Sequence, residues 1–402
     1  VLQRRRKALL RKNLLSRKQL FFVLFHASEG IMRSTNVLRL SALRFFALGI
    51  VAAGLVVLVS SCSVPLGEQA IAPAGEESLV ANVSKAGGEL QSYQSFIVGD
   101  PADVTRTTQG GTVLMGGGTD VDEAFRWMIS RSGGGDFLII RSTGSDGYNP
   151  YVYTDLGGVN SCETLIITSR TAANDPVVEQ KIRNAEAVFF AGGDQANYVN
   201  FFEGTRVEDA INYLINTKRV PVGGTSAGCA IQGRTYFSAI NGTITSDEAL
   251  RNPYNSKLTL GRNNFINNSL LDNTITDTHF NNPDRRGRLM TFLARMSKDY
   301  AVQPKGIGVD EATAVCIDAS GSARVYGTGT AFFLRQRTTS TTPETCVSGT
   351  RLDWYRSRQA VSVYKINGSA SGAGPFNVST WSGSGGSSQF YYVDRGVLGI
   401  SY

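Results

Sequence analysis

The chain has 402 residues, 42% of them apolar, enough for one large domain with appendages or for two or three smaller ones. Its formal charge of +7 invites a nucleic-acid partner, but residues 1–61 hold 11 of the 40 Lys/Arg and one of the 33 Asp/Glu, leaving 29 basic and 32 acidic residues after them. The basic excess is confined to the leader, and no basic stripe with interleaved aromatics remains to meet DNA or RNA.

From Met32 a positive segment with Arg33, Arg39 and Arg44 runs into an apolar stretch, Phe45 to Val59, and then Ser60-Ser61-Cys62. That is the shape of a secretory signal rather than part of a fold. Val59-Ser60-Ser61-Cys62 resembles a bacterial lipobox, which implies cleavage before Cys62, a lipid on its thiol and an exported protein anchored to a membrane. Residues 1–61 are therefore expected to be leader and signal, with 1–31 upstream sequence before an internal methionine. Residues 62–84, rich in Ala, Glu, Ser, Pro and Gly, read as a tether. Export permits disulfides, and among Cys162, Cys229, Cys316 and Cys346 the favoured bridge is Cys316 with Cys346, which bracket a loop-rich stretch. No CxxC and no His/Cys cluster at zinc spacing occurs, so neither metal nor cofactor is expected.

Thr112 to Met115 is a short buried strand and Gly116-Gly117-Gly118 a tight turn near a site, lacking the pattern of either nucleotide-binding glycine motif. A helix follows, with capping residues at Thr119 to Glu123 and Val121, Phe125, Met128 and Ile129 on one face. Asp136 to Arg141 and Thr164 to Ser169 are strands. Asp175-Pro176 caps a helix to about Asn184, and Ala187 to Phe190 is a buried strand ending at Gly192-Gly193-Asp194-Gln195. After a helical stretch, Val220 leads into Gly224-Thr225-Ser226-Ala227-Gly228. Short apolar strands alternating with amphipathic helices predict an α/β fold, a mostly parallel sheet with helices on both faces, over residues 85–330. Groups at the carboxyl ends of such strands share one crevice. A helix is expected from about Asp284 to Met296. Residues 331–402 form a β- and loop-rich, Gly/Ser-rich C-terminal extension, with Asn367 to Gln389 flexible.

Gly224 to Gly228 fits the G-x-S-x-G nucleophile elbow, which holds a serine at a sharp strand-to-helix bend with backbone N–H groups aimed at a developing oxyanion. A free hydroxyl needs a base, and the chain has two histidines, one of them His26 in the leader. Ser226 can therefore be activated only by His279. The acid that orients the imidazole is open among Glu311, Asp310, Asp277 and Asp247.

Gly192-Gly193-Asp194-Gln195, the elbow, Asp277-Thr278-His279-Phe280, the arginines after it, and Gly306-Ile307-Gly308-Val309-Asp310-Glu311 together resemble the cyanophycinase family of serine peptidases. That group also contains aspartyl dipeptidase, and its fold is like that of class I glutamine amidotransferases, a flavodoxin-like arrangement. The resemblance spans roughly Gly88 to Val325. It implies Ser226 as nucleophile, His279 as base, Glu311 as acid, and an oxyanion hole near Gly193 and Ala227. It implies substrate contacts from Gln195, Asp277, Thr278, Arg285 and Arg288. The expected activity is hydrolysis of cyanophycin, an arginine-bearing polyaspartate, to β-Asp-Arg dipeptides. Two positions depart from the family pattern: Pro283 stands where it has the first arginine, and Thr278 where it has Gln. The same triad acting as a dipeptidase or amidase on other Asp or isoAsp peptides is a second reading, and a catalytically silent surface binding protein a third. A peptide or polymer substrate and a lipid-anchored membrane are the expected partners, with a homodimer open.

Overall fold

The structure, a computed structural model, describes residues 92–402, all within one compact unit. The expected signal, the lipid attachment at Cys62 and the tether lie outside the described residues. Among the described residues no helix is long and apolar enough to cross a membrane.

The first half alternates strand and helix. In chain order it runs β1 (Tyr93–Gly99), β2 (Gly111–Met115), α1 (Asp122–Arg131), β3 (Asp136–Arg141), β4 (Ser161–Ile167), α2 (Pro176–Asn184) and β5 (Ala187–Phe190). Then come α3 (Gln195–Phe202), α4 (Arg206–Tyr213), β6 (Pro221–Thr225) and the short α5 (Ala227–Ala230). α2 starts as its sequence dictates: Asp175 Oδ1 accepts the Val177 N–H at 2.8 Å and Pro176 opens the helix. α1 does not. Val121 precedes it without a side-chain cap, and the acidic Asp122 and Glu123 of its first turn supply charge to the helix start instead.

The strands β4, β3, β5, β6 and β2 are parallel neighbours. Their uninterrupted apolar runs fit a sheet covered on both sides. Phe137 and Ile139 pack with Phe125 and Met128 of α1 on one face. Leu138 and Ile140, pointing the other way, pack with Val178 and Ile182 of α2 and Ile211 of α4.

Past β6 the chain changes from crossover helices mainly to hairpins. It continues with β7 (Thr235–Phe237), β8 (Leu260–Arg262), β9 (Thr274–Asp277), α6 (Arg286–Tyr300), β10 (Lys305–Val309), β11 (Thr313–Asp318), β12 (Ser322–Gly327) and β13 (Thr330–Gln336). β14 (Val361–Asn367), β15 (Ala373–Asn377), β16 (Ser382–Gly383), β17 (Ser387–Asp394) and β18 (Val397–Ser401) complete it. The first sheet has ten strands in the order β1-β4-β3-β5-β6-β2-β11-β12-β15-β16, and its outer pairings are antiparallel. It is a mixed sheet rather than the mostly parallel one expected, because the parallel pairings stop at β2, where hairpin strands take over.

A second sheet of six strands, β18-β17-β14-β13-β10-β9, packs against the first. Leu114, Val315 and Ile317 of one sheet meet Ile307, Val309 and Phe333 of the other. The outer face of the second sheet is closed by α6, whose Phe292, Leu293 and Met296 pack with Phe332, Leu334 and Val363. The stretch after residue 330 is therefore woven into both sheets: β13 pairs with β10, and β15 returns to β12. Asn367 to Gln389, expected to be flexible, contains β15 and β16. Phe376, 1% exposed, stacks on Phe333 with centroids 3.9 Å apart, and Trp381 packs edge-on to both rings. Its aromatics outweigh its glycines.

The expected disulfide is absent, and the four described cysteines are free and buried. Cys316 sits on the α1 side of the first sheet and Cys346 in the core around α6, so the two belong to different cores. Burial pushes the Cys162, Cys229 and Cys316 thiols far up, leaving them inert apolar fillers.

Candidate active site

The site forms where the two sheets meet. Ser226 follows β6 of the first sheet, with φ 51° and ψ −116°, the strained backbone a nucleophile elbow requires. Its N–H donates to Met115 O at 3.1 Å, and its carbonyl accepts from Cys229 and Ala230 as α5 begins. Gly228 is required here, since a Cβ would come within 2.7 Å of the Phe190 carbonyl carbon and push α5 off β5.

His279 follows β9 of the second sheet, and Glu311 lies in the link that carries the chain from β10 in the second sheet to β11 in the first. Ser226 Oγ is 2.8 Å from His279 Nε2, and His279 Nδ1 is 2.7 Å from Glu311 Oε1. A carboxylate at Nδ1 fixes the proton on that nitrogen, leaving Nε2 free to accept the serine proton. Of the four candidate acids only Glu311 meets the imidazole. Asp310 accepts instead from Asn281 Nδ2 and Thr330 N, Asp277 is bound to Arg288, and the exposed Asp247 pairs with Arg251.

Three connections hold these elements in register. Thr276 Oγ1 donates to Cys229 O at 2.7 Å, tying the strand before the histidine to the helix after the serine. His279 N donates to Gly116 O at 2.8 Å, and Ala312 N to Gly117 O at 2.9 Å. The imidazole lies directly against Gly117, φ 103°, where a Cβ would sit 2.5 Å from Nε2. The next glycine backs onto the acid, since a Cβ on Gly118 would be 3.1 Å from Glu311 Cβ. The triglycine turn is thus the seat of the histidine and its carboxylate. The run of glycines marks a tight turn in the sequence, but only the fold places it beneath the imidazole.

On the other side of the serine, a Cβ on Gly192 would lie 3.5 Å from Ser226 Cβ. This brings the loop with the exposed Gly193, φ 153°, beside Ser226 and the Ala227 N–H.

The expected substrate contacts fare differently. Arg288 is 3% exposed and Asp277 1%. Arg288 Nε and Nη2 bind Asp277 Oδ2 and Oδ1 at 2.9 and 2.5 Å, and Arg288 Nη1 reaches Thr243 Oγ1 at 3.3 Å. These two groups hold each other rather than a ligand, because a guanidinium on the inward face of α6 must be paired. Thr278 is likewise buried, and its carbonyl accepts from Arg285 Nη1 at 3.0 Å. Gln195 is half-buried, and its amide donates to Phe237 O at 2.6 Å. Arg285, half-buried just before α6, is 4.0 Å from Asp277 Oδ1. Burial, then the neighbouring Arg288, lower its pKa from the ordinary value. Of the two arginines expected at the substrate, it is the more exposed. No group of three or more His, Cys, Asp and Glu able to hold a metal ion occurs among the described residues.

Residues 141–325 match the model of peptidase family S51. The chain is 25% identical to the cyanophycinase of Geminocystis herdmanii over 173 residues, 43% of this chain and 58% of that one. It is 27% identical to the cyanophycinase of Nostoc sp. over 172 residues, 43% and 52% of the two chains. The match thus spans about half the length of these relatives. Among solved structures, a peptidase from an acI-B1 Actinobacterium is similar with a TM-score of 0.40 and 18% identity, covering 56% of this chain and 90% of that one. A putative peptidase E from Listeria monocytogenes has a TM-score of 0.36 and 18% identity, covering 55% and 99%. The chain is thus similar to the cyanophycinases, and the segment that matches the family S51 model, residues 141–325, contains Ser226, His279 and Glu311.

Proposed function

We propose that the protein is an exported serine-type exopeptidase of cyanophycinase type, working through Ser226, His279 and Glu311. The observation that carries this reading is the unbroken chain of contacts at 2.8 and 2.7 Å from hydroxyl to imidazole to carboxylate. In this mechanism Ser226 Oγ attacks the scissile carbonyl carbon while His279 Nε2 takes its proton. The N–H groups of Gly193 and Ala227 stabilise the oxyanion that forms. His279 then returns the proton to the leaving amine, and the C–N bond breaks to leave an acyl-enzyme. Water, deprotonated by the same imidazole, attacks the ester and releases the acid product and free Ser226. Glu311 holds the ring and balances the imidazolium in both halves.

The substrate proposed is cyanophycin, cut to β-Asp-Arg dipeptides. A second reading, a dipeptidase or amidase on other Asp or isoAsp peptides, is favoured by the mutual capture of Asp277 and Arg288 and by Pro283 and Thr278. Release of β-Asp-Arg from purified cyanophycin, set beside a panel of Asp-X and β-Asp-X peptides, separates them. Turnover of cyanophycin that disappears in Ser226→Ala supports the first reading, and turnover of the short peptides alone the second. No turnover of either by wild-type protein, with no labelling by a serine-directed phosphonate, overturns both and leaves a silent binding protein. The kinship to class I glutamine amidotransferases and the lipid anchor at Cys62 belong to the same proposal. Cys62→Ala is expected to move the protein from the membrane fraction to the soluble one; an unchanged distribution would contradict the anchor.

A further inference from the structure

The end of the second sheet far from His279 carries charge that the protein itself does not balance. Lys305 opens β10 and stands directly opposite Arg335 of β13. Side chains opposite one another in an antiparallel pair share a face, with Cβ atoms about 5 Å apart, and like charges placed there repel. The face is the inner one, because Ile307 and Phe333, the next pair on that side, pack into the core between the two sheets. Both cations are half-buried. Among the described residues neither is ion-paired, and Arg335 Nε is buried with no hydrogen-bond acceptor.

Three further groups close on this pair. Thr274 of β9 lies beside Lys305 in the sheet, and a Cβ on Gly233 would be 2.7 Å from the Thr274 carbonyl oxygen, so Arg234 reaches the same end. Arg234 Nη1 binds Asp272 Oδ1 at 2.6 Å, while its Nε is buried without an acceptor. Burial lowers the Lys305 pKa most, Arg335 lowers it further, and Asp272 opposes both. Trp381, between β15 and β16, packs against the ammonium, with Lys305 Nζ 5.1 Å from its ring centre. The indole is 7% exposed, and its Nε1 is a third buried donor with no acceptor. Arg262 is turned aside: its Nη2 bonds Asn273 Oδ1 at 3.3 Å and its guanidinium stacks on Tyr300.

Buried polar groups in native proteins are nearly always paired, and an ion or a water ordinarily accounts for the exceptions. Here the three unmet groups, on Arg234, Arg335 and Trp381, are all donors. Asp272 neutralises one of the cations Arg234, Lys305 and Arg335, which leaves two positive charges open. We propose that this end of the second sheet binds a doubly charged oxyanion, a phosphate group, between Lys305 and Arg335. The planar Arg335 fork suits two of its oxygens and the Lys305 ammonium a third. The phosphate group is either the free ion or the head of a phosphatidic acid. Glu311 follows the opposite end of β10, roughly 20 Å away at the rise of a strand, so the site is separate from the catalytic crevice.

Calorimetric titration of the full chain at constant ionic strength is expected to show saturable binding of inorganic phosphate, with singly charged acetate at least about tenfold weaker. Lys305→Gln and Arg335→Gln, with circular dichroism confirming the fold, are each expected to weaken phosphate on the order of tenfold. Arg337→Gln, at an exposed arginine just past β13, is expected to leave it unchanged. Should Arg335→Gln not fold, Lys305→Gln carries the test, and Lys305→Arg, which keeps the charge, is expected to retain most of the affinity. Phosphate is also expected to raise the melting temperature of the wild type more than that of Lys305→Gln. Dihexanoyl phosphatidic acid, a soluble lipid with the same terminal phosphate, separates the sources: tighter binding than inorganic phosphate assigns the site to a headgroup, equal or weaker binding to the free ion. The proposal is overturned if wild-type protein binds neither compound, if acetate binds as well as phosphate, if the folded Lys305 and Arg335 variants bind undiminished, or if Arg337→Gln weakens binding as much as they do.

Discussion

At the scale of single residues, the proposed chemistry rests on one hydroxyl, one imidazole and one carboxylate, and on what holds the ring still. Replacing Ser226 or His279 by Ala is expected to lower kcat by at least about 10³-fold, since neither can be spared from a nucleophile–base unit. Measuring kcat on whichever peptide the wild type cleaves checks this. The sharper test is Gly117→Ala. Its Cβ would occupy the place of the imidazole edge, at a φ of 103° that alanine resists. Displacing the ring by about an ångström is expected to cost on the order of 10²-fold in kcat, with the fold retained by circular dichroism. Unchanged turnover would show that the ring does not rest there.

Asp310 makes a prediction about pH. Burial is the largest of the influences on its carboxyl and raises its pKa above the ordinary 3.8. A group whose folded pKa is raised favours the native state fully below its unfolded value, and that contribution is lost as pH rises through the folded value. Asp310→Asn is therefore expected to gain stability relative to wild type as pH rises from 3.8 towards neutrality. Melting temperatures of the two proteins across that range check the sign, and a wild type that gains relative to the variant would contradict it.

Between elements, the buried pair Asp277–Arg288 joins the end of β9 to α6 just behind His279. Asp277→Asn leaves the guanidinium uncompensated among Phe237 and Phe292 and is expected to cost about 3–5 kcal/mol. The double variant Asp277→Leu/Arg288→Met is expected to recover much of that loss, because two apolar side chains need no partner. A double-mutant cycle by urea denaturation measures the coupling.

This pair also shows where the sequence falls short. Its periodicities located β2, β3, β5, α2 and the elbow to within a residue or two, because buried strands and capped helices are local patterns. The solitary histidine after the elbow made the serine–imidazole pair legible by elimination. Whether Arg288 points at substrate or at Asp277 depends on which face of α6 the second sheet covers, and nothing local in the sequence states that. The same holds for Gly117, whose meaning lies in a residue far along the chain.

For the whole molecule, the proposed triad bridges two sheets: Ser226 comes from one, His279 from the other, and Glu311 from the chain passing between them. Segments distant from the chemistry should therefore decide whether it exists. Removing residues 361–402 strips β14, β17 and β18 from the second sheet and exposes the faces of Phe332 and Leu334. The truncated chain is expected to lose its cooperative melting transition, and a truncated protein that melts like the full chain would show these strands to be dispensable. The Gly/Ser-rich composition of this stretch concealed that role, since the buried aromatics Phe376, Trp381 and Tyr391 carry the packing.

The most direct measurement is the covalent adduct left by a serine-directed phosphonate, mapped by peptide mass spectrometry on wild-type, Ser226→Ala and His279→Ala proteins. A single adduct on Ser226 is expected in the wild type, none in Ser226→Ala, and labelling slowed by at least about 10²-fold in His279→Ala. An adduct on another residue, or labelling of Ser226 at the same rate without the imidazole, would contradict it.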